Sequence, residues 1–245
     1  MFFNYTRDKR LAENEPAAVS PTPSPEPTLT PAPSATPAPA ADTPAPTATP
    51  TPTPRPMSEE ILALRREYNN DDIVGYLRIP DSSINYPVVY YTDNDFYLER
   101  DVFKNINSTG SIFMDCENNV ERDEKNFVLY GHNMKADIMF HAIRYYNDKN
   151  YFENHRYITF NTLYGNYTWE VFSFYKTNID FNYINVLFKS DEEFGELVRE
   201  MKRRSHYETN VDVTQDDRVL TLSTCTNQEE DTRYVVNAKL IRQDS

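Results

Sequence analysis

Proline is distributed very unevenly along this chain, and its distribution decides which part of the chain can fold. Of the 17 prolines, all but two lie between Pro16 and Pro56, in a stretch made almost entirely of Pro, Thr, Ala and Ser. Such a stretch cannot bury enough apolar surface to offset its ordering entropy. We therefore predict a disordered, polyproline-II-rich stalk over residues 16–57, which would reach on the order of 100 Å when extended. A simple disordered tail is the alternative, and the globular domain is expected over residues 58–245.

The segment before the stalk carries little structural information. Met1-Phe2-Phe3-Asn4-Tyr5 is too short for a signal peptide. No stretch of the chain reaches the ~18 apolar residues needed to span a bilayer. We expect residues 1–15 to be either an N-terminal remnant that flanks a removed membrane anchor or an ordinary frayed terminus.

Charge and cysteine content exclude several classes of function. The net charge is −13, and no basic stripe is present that could neutralise phosphates, so nucleic acid is not an expected partner. The two cysteines, Cys116 and Cys225, make neither a disulfide framework nor a metal cage. A disulfide between them would consume the thiol that is proposed below as the nucleophile. We expect no metal and no cofactor.

Short apolar segments with strand-like composition dominate the globular part. They predict eight strands, at residues 73–79, 84–91, 111–114, 126–130, 156–161, 167–178, 218–224 and 233–242. Helical spacing predicts helices at residues 58–68, 138–145 and 191–204 and one helical turn at residues 94–99. Strand runs predominate without a regular βαβ alternation, so the predicted fold class is mostly β, a mostly antiparallel barrel with helical insertions.

A pair of strands near the C-terminus carries the candidate chemistry. Val219-Leu220-Thr221-Leu222-Ser223-Thr224-Cys225-Thr226 is a strand that runs into a cysteine, and Arg233-Tyr234-Val235-Val236 opens the return strand of a hairpin. An antiparallel hairpin brings the end of one strand beside the start of the next, so Cys225 and Arg233 should lie at the same end of a sheet. His132 follows another apolar strand and is the candidate base.

These residues resemble the sortase family. Thr221-Leu222-Ser223-Thr224-Cys225, with Arg233 eight residues later and His132 within Tyr130-Gly131-His132-Asn133-Met134, matches the family's Thr-Leu-x-Thr-Cys pattern and its histidine and arginine. The predicted helices at 58–68 and 191–204, the second inserted before the cysteine-bearing strand, resemble class B sortases in particular. The resemblance covers roughly residues 58–245 and implies a closed eight-stranded β-barrel.

The resemblance implies a cysteine transpeptidase of the bacterial surface. Such enzymes cleave a C-terminal sorting signal of a secreted protein, of the Asn-Pro-x-Thr type in class B, and transfer the protein to a peptidoglycan precursor amine. Cys225 would be the nucleophile, His132 the acid that protonates the leaving amine, and Arg233 the donor to the oxyanion. The implied location is the extracytoplasmic face of the membrane or the cell wall. Contact with the membrane would require an anchor that is absent from this chain.

The resemblance also implies substrate-binding residues, position by position. Asn94 and Leu98 match an asparagine and a leucine that line the groove of class B enzymes, in the turn before the histidine strand. Tyr183 and Ile184 match a Tyr-Ile pair between the sixth and seventh strands. Ser223 is the serine two residues before the cysteine.

Other functions stay open at this point. A pilin-polymerising sortase would carry the same motif. An L,D-transpeptidase would need a glycine before its cysteine, and a papain-like protease would have its cysteine before its histidine, whereas His132 precedes Cys225 here. A non-catalytic surface-binding module on a stalk would not need three reactive groups at strand ends. Cys116 departs from the family, which has a large aromatic residue there, and we expect it to serve packing.

The stalk prediction can be tested by truncation. Removal of residues 1–57 should leave the purified domain folded and active, because the proline-rich stretch has no apolar surface to contribute to a core. The measurements are the melting temperature and the rate of peptide cleavage, compared with those of the full chain. A large fall in melting temperature would contradict a stalk that is independent of the domain.

Overall fold

The computed structural model describes residues 55–178, 180–225 and 232–244. The predictions for residues 1–15 and for nearly all of the stalk lie outside the described residues. Within the described part, no helix combines the length and the apolar character that crossing a bilayer requires.

The core of the domain is a closed barrel of eight strands. Its strands, together with a separate two-stranded hairpin, are β1 (Ile73–Arg78), β2 (Asn85–Tyr90), β3 (Ile112–Met114), β4 (Asn126–Tyr130), β5 (Asn133–Met134), β6 (Ile138–Met139), β7 (Tyr157–Thr162), β8 (Gly165–Asn178), β9 (Val219–Cys225) and β10 (Thr232–Asp244). The barrel order is β1-β2-β3-β4-β9-β10-β8-β7, and β5 pairs with β6 outside it. Closure leaves the barrel sheet without a free edge.

Antiparallel pairing dominates the barrel, as the sequence predicts. Two contacts are parallel, β2 with β3 and β4 with β9. The second of these joins strands that are almost one hundred residues apart in the chain. It is the contact that brings the histidine strand beside the cysteine strand.

Large aromatic side chains fill the barrel. Phe127 of β4 lies edge-on to both Phe160 of β7 and Trp169 of β8, with ring centroids 6.0 and 6.3 Å apart. All three side chains are fully buried. Perpendicular aromatic packing of this kind is a favourable arrangement of the ring quadrupoles. The barrel is therefore a packed core, and chemistry is confined to its ends and outer surface.

Three α-helices decorate the barrel: α1 (Glu59–Tyr68), α2 (Lys149–Asn154) and α3 (Asp191–Arg204). The predicted N-terminal helix and the predicted helix before the cysteine strand are both confirmed. In α3, the Ser190 hydroxyl caps the first turn by accepting from the Glu193 amide, and acids precede bases along the helix as the helix dipole favours. Its apolar stripe packs inward, and the Met201 carbonyl accepts from the Ser173 hydroxyl of β8 at 2.7 Å.

The predicted helix at residues 138–145 is wrong at its start. Ile138–Met139 is β6, which pairs with β5, and a 3-10 helix follows at His141–Asn147. The apolar spacing is compatible with a helix, but Asp137 and Met139 have φ angles of 55° and 54°. Asp137 lies in the turn between β5 and β6, Met139 lies in β6, and a right-handed α-helix could accommodate neither left-handed residue.

Candidate active site

The ends of three neighbouring strands define the site. In the parallel pair, Tyr130, the last residue of β4, lies opposite Ser223 of β9. His132 follows Tyr130 by two residues, and Cys225 follows Ser223 by two residues. In the antiparallel pair, Cys225 lies directly opposite Arg233. The three residues predicted to carry the chemistry therefore meet at one end of the barrel.

A backbone carbonyl fixes the orientation of the His132 ring. The Nε2 atom of His132 lies 2.8 Å from the carbonyl oxygen of Leu98. A carbonyl oxygen can only accept a hydrogen bond, so Nε2 carries a proton and Nδ1 is left as the nitrogen for proton exchange. The predicted groove residue Leu98 thus contacts the histidine through its main chain.

The turn that presents the Leu98 carbonyl is anchored to the start of the domain. Tyr97, in the 3-10 turn Phe96–Leu98, donates its hydroxyl to Asp72 Oδ2 at 2.7 Å and accepts from Asn70 Nδ2 at 2.9 Å. Burial, and then the hydrogen bond to Asp72, raise the pKa of Tyr97 well above its ordinary value. The phenol therefore stays neutral and remains a donor at any pH at which the domain works.

A buried carboxylate connects the same turn to the end of β4. Asp115 is fully buried, and its Oδ2 accepts from the Tyr130 hydroxyl at 2.6 Å and from Asn94 Nδ2 at 3.2 Å. The Asn94 side-chain oxygen accepts from the Cys116 amide at 2.9 Å. Asn94, predicted as a substrate-binding residue, thus has both ends of its amide hydrogen-bonded within the protein. The network connects Tyr130, which precedes Gly131 and His132, to the turn that orients the histidine.

The other predicted groove residues meet on β9 and on the loop that covers it. The hydroxyls of Tyr183 and Ser223 lie 2.8 Å apart in a buried hydrogen bond. Ile184 follows Tyr183 in the chain and is also buried. Ser223 lies two residues before Cys225 on β9.

Arg233 is held close to the barrel rather than extended into solvent. Only 6% of the residue is exposed, and its Nη1 donates to the Thr232 carbonyl at 2.9 Å. Its pairing partner on β8 is Thr177, whose hydroxyl accepts from Arg204 of α3 at 3.3 Å. A guanidinium presents a planar, rigid set of donors.

Sequence reasoning did not identify the polar residues that support the site. These are Tyr97, Asp115, Asn126, Tyr130 and Thr221. Each makes a buried hydrogen bond to a residue far away in the chain. A polar residue next to an apolar strand run, such as Asn126 before Phe127, is the signal that was present in the sequence.

A known protein family matches this chain over most of the barrel. The family model described as a sortase domain matches residues 77–241. That range spans the histidine, cysteine and arginine at the barrel end. The chain therefore belongs to the sortase family.

Three of the similar proteins are class B sortases. Sortase B of Staphylococcus aureus is 39% identical over 175 residues, which cover 71% of this chain and 72% of that protein. Sortase B of Bacillus anthracis in complex with AAEK1 superposes with a TM-score of 0.70 at 38% identity, covering 76% of this chain and 88% of that one. A Staphylococcus aureus sortase B–substrate complex gives a TM-score of 0.72 at 36% identity, covering 76% and 87%.

These relatives assign the class B type and a cysteine transpeptidase activity. The closed eight-stranded barrel expected from the resemblance is confirmed. Sortases act at the surface of Gram-positive bacteria. The relatives do not favour a different extracellular cysteine peptidase or a non-catalytic binding module.

Gly110 offers a test of the His132–Leu98 contact. Its φ is +60°, and a Cβ there would lie 2.5 Å from the Leu98 carbonyl oxygen and 3.0 Å from His132 Cδ2. Gly110→Ala should destabilise the fold by roughly 1–2 kcal/mol through its left-handed backbone. It should also lower kcat/KM for a sorting-signal peptide at least about tenfold, because the carbonyl that orients the imidazole is displaced.

Gly165→Ala is the matched control. Its Cβ would lie 3.0 Å from ring atoms of Tyr167, at the opposite end of β8 from the site. This variant should lose stability while keeping its kinetic constants. Comparable kinetic losses in both variants would show that the effect of Gly110→Ala is not local to the histidine.

Proposed function

We propose that this chain cleaves a C-terminal sorting signal of the Asn-Pro-x-Thr type in secreted proteins and transfers them to an amine of peptidoglycan or its precursor. The observation that carries the proposal is the strand register that sets Cys225 opposite Arg233 beside the β4 strand that leads to His132. The substrate class is taken from the class B resemblance. A pilin-polymerising role would use the same residues, and no observation favours it.

The first half-reaction is cleavage. The Cys225 thiolate attacks the carbonyl carbon of the scissile bond, so an S–C bond forms and the carbonyl electron pair moves to oxygen. The Arg233 guanidinium donates to that oxyanion. When the intermediate collapses, the C–N bond breaks and the leaving amine takes the Nδ1 proton of the His132 imidazolium, while Nε2–H stays bonded to Leu98. A thioester and a neutral imidazole result.

The second half-reaction is transfer. The acceptor amine attacks the thioester carbonyl, and the neutral His132 takes the proton that the amine loses. The C–S bond then breaks, Cys225 leaves as a thiolate, and the imidazolium is restored. An amide product forms without net consumption of protein groups. Water competes with the amine at this stage, so the bound signal should shield the thioester.

The proposed groove uses Asn94, Leu98, Tyr183, Ile184 and Ser223. Four of them support the proposal through their contacts: Leu98 orients the histidine, Asn94 shares Asp115 with Tyr130, and Tyr183 is bonded to Ser223, two residues before Cys225 on β9. Residues 58–245 would form the catalytic domain. Residues 16–57 would act as a stalk that positions it in the cell wall, outside the membrane.

The acyl-enzyme provides the direct test. Incubation with an Asn-Pro-x-Thr peptide should add the mass of the acyl fragment to the wild-type protein and to Cys116→Ala. Cys225→Ala should show no adduct and no cleavage. Mass spectrometry of the intact protein detects the adduct. Equal loss of the adduct in both cysteine variants would mean that the nucleophile has been assigned wrongly.

The role of Arg233 makes a second prediction. Arg233→Lys keeps the charge but replaces a rigid fork of donors with a mobile ammonium. Loss of one oxyanion donor typically costs ~3 kcal/mol, so kcat/KM for the signal peptide should fall about a hundredfold. Circular dichroism should show an unchanged fold.

Arg218→Lys is a suitable control for that variant. Arg218 precedes β9, and its Nε donates to the Glu124 carbonyl at 3.1 Å, at the end of the strand remote from the site. The Arg218→Lys variant should lose stability and keep kcat/KM within about twofold of the wild type, because Arg218 touches no reacting atom. Near wild-type kinetics for Arg233→Lys would remove the guanidinium from the proposed mechanism.

A further inference from the structure

The loop between β8 and α3 has little regular structure of its own. Its described residues 180–190 include the buried side chains of Tyr183, Ile184 and Val186. Two local backbone hydrogen bonds shape it, from the Tyr183 amide to the Phe181 carbonyl and from the Asn185 amide to the Asn182 carbonyl. Such local bonds cannot by themselves fix where the loop sits on the barrel. Its position depends on contacts with the strands beneath.

One asparagine supplies two of those contacts. Asn126, the first residue of β4, is fully buried, and its Nδ2 donates to the Tyr183 carbonyl at 3.2 Å and to the Asn185 carbonyl at 2.9 Å. An amide nitrogen has two protons, so both are used on this loop. The carbonyls on either side of Ile184 are thereby attached to the start of β4.

The orientation of the Asn126 amide is itself fixed by a relay across two strands. The Thr221 hydroxyl of β9 donates to Asn126 Oδ1 at 2.7 Å and accepts from Asn237 Nδ2 of β10 at 3.0 Å. The Tyr183 and Asn185 carbonyls can only accept, so they require the nitrogen of the Asn126 amide, and the Thr221 hydroxyl is left to donate to its oxygen. The oxygen of the Asn126 amide therefore faces Thr221, and the nitrogen faces the loop. A flipped amide would lose both bonds to the loop.

We propose that Asn126 is a positioning residue for substrate recognition. It holds the main chain of residues 183–185 on the barrel, while the Tyr183 hydroxyl bonds Ser223 on β9. The Tyr183–Ile184 segment is thus attached at its backbone and at a side chain. This inference rests on the proposed function, in which that segment binds the sorting signal. Asn126 itself touches no reacting atom.

The consequence for the enzyme follows from where the attachments lie. Without the amide, the Tyr183 and Asn185 carbonyls lose the Asn126 donor, and the loop should move towards water to replace it. The strand register that sets Cys225 opposite Arg233 does not involve this loop. Binding of the signal should therefore weaken more than the chemical step, which is a rise in KM with a smaller change in kcat.

Asn126→Ala and Asn126→Asp test the proposal together. Asp has the shape of Asn but presents a carboxylate oxygen to the two carbonyls, so it preserves packing and removes donation. Both variants should raise KM for an Asn-Pro-x-Thr peptide about tenfold and change kcat less than about threefold. If Asn126→Asp binds the peptide like the wild type, the side chain acts through its shape alone, and the proposal is overturned.

Asn118→Ala is the matched control. Asn118 is also buried, and its side chain also bonds main-chain groups of β4, donating to the Asn126 carbonyl and accepting from the Val128 amide, both at 2.8 Å. It makes no described contact with residues 180–190. It should lower the melting temperature about as much as Asn126→Ala with KM unchanged. An equal rise in KM in both variants would reduce the effect to general destabilisation and overturn the proposal.

Hydrogen–deuterium exchange separates this proposal from the proposed substrate. Peptides that cover residues 181–188 should exchange faster in Asn126→Ala than in the wild type or in Asn118→Ala. The exchange measurement does not depend on activity. If the wild type cleaves no Asn-Pro-x-Thr peptide, that failure refutes the proposed function and leaves the positioning role of Asn126 to be judged by exchange. Unchanged exchange in Asn126→Ala would overturn the positioning role, whatever the kinetics.

Thr221→Val keeps the test decisive if the Asn126 variants do not fold. The substitution removes the hydroxyl that orients the amide and nearly preserves the volume. It should accelerate exchange over residues 181–188 and raise KM by a smaller factor, about threefold. Wild-type exchange in a folded Thr221→Val protein would show that the relay does not control the loop.

Discussion

The parallel contact between β4 and β9 is the constraint on which the site depends. It sets Tyr130 opposite Ser223, and the antiparallel contact between β9 and β10 sets Cys225 opposite Arg233. Side chains alternate along a strand, so a slip of one residue in either pairing would turn the side chains of the slipped strand to its other face and change which residues lie opposite each other. The apolar residues that fill the barrel thus also determine the chemistry, because their burial selects one register. Catalytic geometry and core packing are consequences of the same pairing.

Buried polar groups fix the positions of the loops around the site, which the strand register alone does not determine. Asp115, Asn126 and Thr221 are all fully buried, where an unsatisfied polar group would be costly. Each is hydrogen-bonded to a segment outside the regular strands or to the next strand in the sheet. Hydrophobic contacts would tolerate small displacements of those segments, whereas hydrogen bonds fix distance and direction. The polar groups therefore give the loops around the site a defined position on a core that is otherwise apolar.

Much of this could be predicted from the sequence, and the exceptions have a physical cause. The eight barrel strands were predicted within a few residues of their ends, because alternation and turn residues are local signals. The Cys225–Arg233 pairing was predicted because a hairpin is also local. The β4–β9 contact is not local and was not predicted; His132 was proposed as the base from its place after an apolar strand and then from the family resemblance. The error at residues 138–145 arose because apolar spacing does not reveal left-handed residues such as Asp137 and Met139. Asp115 and Asn126 were missed for the same reason as β4–β9, since their partners lie 15 to 95 residues away in the chain.

The two ends of the short strand β4 contact different parts of the site. Its first residue, Asn126, bonds the loop that we propose to bind the signal, and its last residue, Tyr130, bonds the carboxylate shared with Asn94. His132 follows two residues later. Five buried residues thus connect the proposed signal-binding loop, the turn that orients the histidine and the histidine itself. A displacement of β4 would move the loop, the turn and the histidine together. If each were attached to a different strand, the distances between them could change independently. The proposed signal-binding loop and the proposed proton donor keep a fixed relation because they share one strand, and the pairing of that strand with β9 relates Cys225 to both.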